Sequence, residues 1–279
     1  MGTKQRFGGD WTIEKLNILS SYLDFYITAL KNQPFSKIYI DAFAGTGSIK
    51  VGGKDEAIEG SAKLALKAQN KFDRYIFIER NKKYAIELNA VVVEQFGNLS
   101  DRISVYNTDC NSKLHDLCES LNWESNRAIL FLDPYATEVE WQTLKAIATT
   151  KAIDVWYLFP LSAANRLMKN DREIEPSWKA KLDMIFGDDG WFEEFYKEDP
   201  QFNLFSEEKF IKSVNTAALT KYICKRLETI FPAVAQNPRI LYNTKNSPLF
   251  LFCFAVSNDN PKAIELALKG ANYVLNNRK

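Results

Sequence analysis

The chain has 279 residues, 36 Lys plus Arg against 35 Asp plus Glu, and 46% hydrophobic residues. That is the composition of a soluble globular protein, long enough for one large α/β domain with an insertion or for two small domains, and it leaves no difficulty in burying a core. Cys110, Cys118, Cys224 and Cys253 have neither the close pairing of a zinc site nor the density of a disulfide scaffold, no apolar run approaches the roughly 18 residues of a membrane helix, and the start MGTKQRFGGDW lacks the apolar core of a signal peptide, so a cytoplasmic protein without a metal site is expected.

Residues 10–30 carry Trp11, Leu16, Ile18, Leu19, Tyr22, Leu23, Tyr26 and Ile27 at helical spacing, which predicts a helix packed on a sheet. Lys15 falls in its early turns, where the helix dipole disfavours a cation. It is either a solvated lysine or the partner of a specific anion such as a cofactor carboxylate.

The apolar run Ile38-Tyr39-Ile40 then breaks at Asp41-Ala42-Phe43-Ala44-Gly45-Thr46-Gly47, a glycine turn directly after a strand. Gly45 and Gly47 open backbone angles closed to other residues and let a ligand lie on bare main chain. A dinucleotide fingerprint needs a third glycine where Lys50 stands, and the phosphate-loop pattern is absent, which disfavours a glycine-loop oxidoreductase. An acid in the turn is badly placed beside pyrophosphate and well placed beside a cation. Asp-x-Phe-x-Gly-x-Gly, from Asp41 through Phe43 to Gly47, resembles the first motif of class I S-adenosylmethionine (AdoMet) dependent methyltransferases. Their cofactor carries a sulfonium and an ammonium and no phosphate.

Residues 51–55 read as a flexible loop, and Ser61 as the cap of a helix through Asn70. A second strand over 74–78 ends in Glu79, where a ribose diol is gripped in nucleotide folds, and a helix follows over 82–96. A third strand over 102–107 ends in Thr108-Asp109-Cys110, and a fourth over 127–132 ends in Asp133-Pro134-Tyr135-Ala136. The carboxyl ends of an open parallel sheet share one edge. Asp41, Glu79, Asp109 and Asp133 are therefore expected to converge over a single crevice, where a cationic, hydroxyl-rich ligand relieves their repulsion.

A helix over 138–149 and a fifth strand over 153–159 lead into residues 161–210, which break the alternation and read as a helical insertion. Its aromatics, Trp178, Trp191, Phe192, Phe195 and Tyr196, either pack it on the main domain or frame a substrate. Residues 171–208 are strongly acidic and residues 212–279 basic, an asymmetry that permits a nucleic-acid or acidic-partner face. The alternation resumes with a helix over 213–230, strands over 239–243 and 249–257, and a helix over 261–275 begun by Pro261. His115, the only histidine, has no partnering nucleophile and reads as structural.

As a whole the chain resembles the three-Cys-motif partner family (TcmP), a group of class I AdoMet methyltransferases. The likeness rests on Trp11-Thr12 with Lys15-Leu16 and Tyr22-Leu23, on Ile40 through Gly47, on Glu59-Gly60-Ser61, Phe77-Ile78-Glu79 and Phe131 through Tyr135, and on Asp154 to Pro160 with Arg166. It implies an α/β, three-layer Rossmann-like methyltransferase sheet of seven strands, the last antiparallel. The domain organisation expected is an N-terminal helical segment over 1–36, the methyltransferase-like domain over 37–160 and 211–279, and the insertion over 161–210. The resemblance further implies that Asp41, Phe43, Gly45 and Gly47 border the methionine end of AdoMet, that Glu79 takes the ribose hydroxyls, and that Asp109 with Cys110 flanks the adenine. Asp133-Pro134-Tyr135 matches the motif of methyltransferases that modify exocyclic amines of nucleobases. There Asp133 and the Pro134 carbonyl accept the amine hydrogens and Tyr135 stacks on the base. The expected activity is methylation of a base in DNA or RNA. The rival expectation is a methyltransferase-like scaffold that binds a partner protein, the cysteine-motif neighbour, since the second proline of the commoner motif is missing and Ala136 stands where a glycine is usual.

Overall fold

The computed structural model describes residues 9–50, 57–169, 173–198 and 210–277. The loop expected over 51–55 lies outside the described residues, as do 170–172 and 199–209 of the expected insertion. Helix α1 (Asp10–Ala29) leads into strand β1 (Ser36–Asp41), a small antiparallel pair β2 (Ser48–Lys50) and β3 (Ala57–Glu59), helix α2 (Ser61–Lys67), strand β4 (Arg74–Ile78) and helix α3 (Lys82–Gln95). A 3-10 turn (Gly97–Arg102) precedes β5 (Ile103–Tyr106), α4 (Cys110–Ser120), β6 (Asn126–Leu132), α5 (Trp141–Thr149) and β7 (Ile153–Phe159). Then follow α6 (Leu161–Leu167), α7 (Pro176–Phe186), α8 (Gly190–Phe195), the antiparallel pair β8 (Tyr196–Glu198) and β9 (Phe210–Lys212), α9 (Thr216–Glu228), β10 (Ala233–Val234), β11 (Arg239–Tyr242), β12 (Pro248–Val256) and α10 (Pro261–Asn276).

The main sheet has the order β10-β12-β7-β6-β1-β4-β5, with β11 also paired to β12. Strands β5, β4, β1, β6 and β7 are parallel, and β12 runs antiparallel to β7, Phe254 standing opposite Trp156. The sheet counts eight strands where seven were expected because the last edge position is filled by two pieces. Ala233 pairs with Val256 and Arg239 with Phe252, so β10 and β11 lie end to end along β12, with Pro238, which has no N–H to give a ladder, in the gap. The antiparallel strand of the expectation is therefore present as β12, between β7 and this broken edge.

The central strands read as continuous apolar runs because both faces are covered. One face is largely aliphatic: Ile38, Ile40, Ile76, Leu130, Leu132 and Val155 pack with α4, α5, α7 and α9. The other is largely aromatic: Tyr39, Tyr75, Phe77, Phe131, Trp156, Phe252 and Phe254 pack with α1, α2, α3 and α10. Tyr22 of α1 sets its ring 5.1 Å from Trp156 and 4.9 Å from Phe254, so the first helix belongs to the outer layer of the aromatic face.

The insertion is helical over α6 to α8 but ends in the β8–β9 pair, which the sequence reading did not anticipate. Trp191 and Phe195 are buried in the aliphatic-face cluster with Phe186, so these aromatics pack the insertion onto the domain. Gly187 ends α7 at φ +88°, and a Cβ there would stand 2.1 Å from the Trp141 ring; only glycine allows that turn and that contact together. Ser61 is the first residue of α2 and Gly60 occupies the cap position, which corrects the expected cap. The Ser61 hydroxyl is turned instead to Asp41.

Candidate active site

The glycine turn sits at the carboxyl end of β1. Ala42 N donates to Phe131 O (3.1 Å) and Ala44 N to Ile78 O (3.0 Å), so the turn is pinned to both neighbouring strands. Gly45 (φ +59°) and Gly47 (φ +76°) take the left-handed conformations that their identity allows. Gly60 presses on this turn: its N–H donates to Gly47 O (3.0 Å), and a Cβ there would come within 3.2 Å of the Gly47 carbonyl carbon.

Beside the turn lies a hollow of about 270 Å³. Its walls are the bare main chain from Ala44 to Ser48 with Phe43 on one side, Asp133-Pro134-Tyr135 on another, and the first turns of α1 closing it through Trp11, Thr12 and Lys15. Lys15 is buried and forms an ion pair with Asp133, with its ammonium 5.0 Å from the Trp11 ring. Its partner in this structure is thus a carboxylate of the chain itself, not solvent. Thr12 lies one turn earlier on the same helix face, 1% exposed, and its hydroxyl has no hydrogen-bond partner among the described residues. An orphaned buried hydroxyl in a ligand-sized hollow is unusual enough to mark a place where something else bonds.

The four strand-ending acids do lie along one edge, but they do not all face this hollow. Of the four, Asp133 lines it. Asp41 is wholly buried beneath the turn, with Phe43 N donating to one oxygen (3.2 Å) and Tyr39 Oη to the other (3.4 Å); burial pushes its carboxyl up to about 7 against the opposing pull of Ser61 and Phe43. Glu79 accepts from Gly45 N (2.9 Å) and Asn81 N (2.7 Å), bracing the glycine turn from β4, and burial raises its pKa as well. Asp109 caps α4 by accepting from Asn111 N and Ser112 N. Cys110 is 5% exposed in the aliphatic core, and burial beside Asp109 pushes its thiol up to about 12. The mutual repulsion expected of these acids is relieved piecemeal: Lys15 pairs with Asp133 and its charge also reaches Asp41, which burial favours in the neutral form, while backbone N–H groups serve Glu79 and Asp109.

Two positioning residues had escaped the sequence reading. Asn111 donates to Glu138 O (2.8 Å) and accepts from Glu140 N (3.0 Å) and Thr143 Oγ1 (2.9 Å), while Glu138 accepts from Tyr135 N (2.9 Å). The loop carrying Asp133 to Tyr135 is held through this chain of bonds. Asn107 donates to Glu79 O and Arg80 O (2.9 Å each), tying the β4 and β5 exits together. An Asn two residues after the Asp109 cap, in the first turn of α4, is the one trace of Asn111 in the sequence. Pro134 lines the hollow and Tyr135 stands at its rim, 47% exposed.

Among the described residues there is no cluster of His, Cys, Asp and Glu that could hold a metal, and no helix is long and apolar enough to cross a membrane. No family model and no curated protein matches the sequence. Solved structures do. Protein LPL1258 from Legionella pneumophila str. Philadelphia 1, assigned to DUF519, aligns with 94% of this chain and 92% of its own at 12% identity and a TM-score of 0.50. The methyltransferase domain of bacterial CtHen1-C aligns with 86% of this chain and 99% of its own (12% identity, TM-score 0.42), and the N-terminal domain of EvdMO1, solved with SAH and D-fucose, with 85% and 82% (10%, 0.40). At such identities likeness speaks for the fold alone, and with the strand order and the antiparallel β12 it gives the chain a Rossmann-like, class I methyltransferase-like fold.

Proposed function

We propose that the chain is an AdoMet-dependent methyltransferase that acts on an exocyclic amine of a nucleobase in DNA or RNA, within or near the TcmP family. The observation that carries the reading is the hollow itself: glycine main chain on one wall, Asp133-Pro134-Tyr135 on the facing wall, and a buried lysine with an unpaired buried hydroxyl at the end. These residues fit the methionine end of AdoMet. Lys15 and the Thr12 hydroxyl are the groups to take its carboxylate, the Gly45 to Gly47 main chain gives it a side without Cβ atoms, and Glu79, which holds Gly45 N, is the group for the ribose. Asp109, engaged as the α4 cap, and Cys110, buried in the aliphatic core, are not placed to flank the adenine with their side chains. When bound, AdoMet supplies an electrophilic methyl group.

An aryl amine is a poor nucleophile because its lone pair is delocalised into the ring. The Asp133 carboxylate and the Pro134 carbonyl accept its hydrogens and favour a pyramidal nitrogen with its lone pair turned to the hollow, while the half-exposed Tyr135 ring offers a stacking face. Lys15 faces two anions in this scheme. A cofactor carboxylate drawn to Lys15 loosens its hold on Asp133, so the acceptor group becomes available only in the loaded site.

Calorimetry with S-adenosylhomocysteine tests the cofactor half: Lys15→Met and Glu79→Ala each weaken binding at least tenfold, and absence of binding to the unaltered protein overturns the proposal. Transfer of labelled methyl to DNA or RNA tests the acceptor half, with affinity falling steeply as salt rises if phosphate contacts guide the substrate. The second reading, a scaffold that binds a cysteine-motif partner protein, is favoured by the Lys15–Asp133 ion pair, which engages the acceptor carboxylate, and by Ala136. It requires partner association that survives Asp133→Asn while methyl transfer is undetectable in the wild type.

A further inference from the structure

A second cavity, of about 300 Å³, opens at the other end of the sheet, where the parallel strands begin. The second half of α1 and the start of α10 flank it, and Arg127 of β6 and Asp154 of β7 lie on its floor. Tyr22, Phe25, Tyr26 and Phe35 supply most of its ring surface. Asp154 is out of character there, because it shares a sheet face with Trp156 and Leu158, the aromatic one. One of its oxygens accepts a long bond from Tyr22 Oη (3.3 Å). Arg127 is near enough for its charge to ease Asp154's ionisation, yet no ion pair joins them. The guanidinium instead donates one nitrogen to Trp123 O and Asn126 O (2.7 Å each) and lies 3.9 Å from the Phe35 ring centre.

An acid and a guanidinium therefore line the same space without pairing with each other. Lining of this kind, mostly apolar with four aromatic rings and a few polar groups, is the general form of a small-molecule site. We propose that this cavity binds a planar nitrogen heterocycle of the guanine class, whose adjacent N–H donors meet the Asp154 carboxylate and whose carbonyl meets Arg127, between the tyrosine and phenylalanine rings. Adenine has no carbonyl for Arg127 and a single amino donor, so it fits worse. The ligand is not the methyl acceptor of the proposed reaction: Tyr26 lies eleven residues beyond Lys15, about 16 Å along the helix. It is a second ligand whose wall is the same helix that closes the cofactor hollow.

Titration calorimetry of the full chain with guanosine, inosine and adenosine tests this. Guanosine binds saturably and at least tenfold more tightly than inosine, which lacks the 2-amino donor, and than adenosine. Asp154→Asn removes the preference for guanosine over inosine, a change in ratio that mere loosening of the fold does not produce. Ala263→Met, at the half-buried mouth of the cavity, abolishes binding in a protein whose circular dichroism is unchanged. Saturating S-adenosylhomocysteine leaves guanosine bound. No guanosine binding, an unchanged guanosine to inosine ratio in Asp154→Asn, or displacement by S-adenosylhomocysteine would each overturn the assignment, the last by placing the nucleoside in the other hollow.

Discussion

Asp41→Asn isolates the electrostatic state of the acid under the glycine turn. Asp41 is 0% exposed and its carboxyl titrates at about 7 rather than 3.8, chiefly through burial. Between those values the unfolded chain has released the Asp41 proton and the folded chain still holds it, so each pH unit gained across this window lowers stability by about 1.4 kcal/mol. Below pH 4 neither state is ionised and the contribution is fully present; above about 7 the loss is complete and amounts to about 4 kcal/mol. Asparagine keeps the acceptor for Phe43 N and cannot ionise, while its amide turns to Tyr39 Oη or the Ser61 hydroxyl. The assay is urea unfolding followed by tryptophan fluorescence, at pH values from 4.5 to 7.5, with the difference between variant and wild type as the quantity read. Asp154, whose carboxyl is also pushed up to about 7, contributes equally to both proteins and cancels. The difference should move in favour of the variant by a few kcal/mol across the range. A difference that stays flat with pH would mean that Asp41 is ionised throughout and that its local donors outweigh burial.

Other outcomes follow from the contacts already described. A double-mutant cycle of Lys15→Met and Asp133→Asn, read by chemical unfolding, should show coupling of roughly 2 kcal/mol, because each single change strands a partly buried charge; additivity within error would mean that the ion pair contributes nothing. Gly187→Ala sets a methyl group against the Trp141 ring at a positive φ and should cost about 3 kcal/mol in thermal unfolding, where a loss below 1 kcal/mol would refute the contact. Asn111→Ala removes three bonds that hold the loop after β6, so kcat for methyl transfer should fall about tenfold with cofactor affinity nearly unchanged; equal losses in both would assign Asn111 to general stability. Cys110, with its thiol near 12, should resist alkylation by iodoacetamide at pH 8 in the native protein, and rapid labelling would contradict its burial.

Much of this architecture was legible in the order of apolar runs. The β–α alternation, the glycine turn and the acids at the strand ends need only local chemistry, and the strands fall within a residue or two of their expected places. The partners of the acids were not legible, because they depend on contacts between distant stretches. Lys15 and Asp133 are 118 positions apart, and Glu79 reaches Gly45 over 34. In the sequence their repulsion predicts a shared ligand, whereas Lys15 and backbone N–H groups, whose positions no side-chain pattern reports, meet most of it. The β8–β9 pair was missed for a related reason: strands of three residues are too short to show a period of two. The broken edge was missed because β10 has two residues and its pairing is set by β12 alone.

That break also guards the molecule against its own kind. An outer strand shows a row of unsatisfied main-chain groups on which another copy can add a strand, and long flat borders are where fibrils start. Here the border beside β12 is divided between a two-residue and a four-residue piece, offset from each other around Pro238, and the opposite border, β5, is four residues long. Neither side offers an incoming chain enough consecutive rungs to hold a register, so a sheet this rich in isoleucine, phenylalanine and tryptophan can remain dispersed in water.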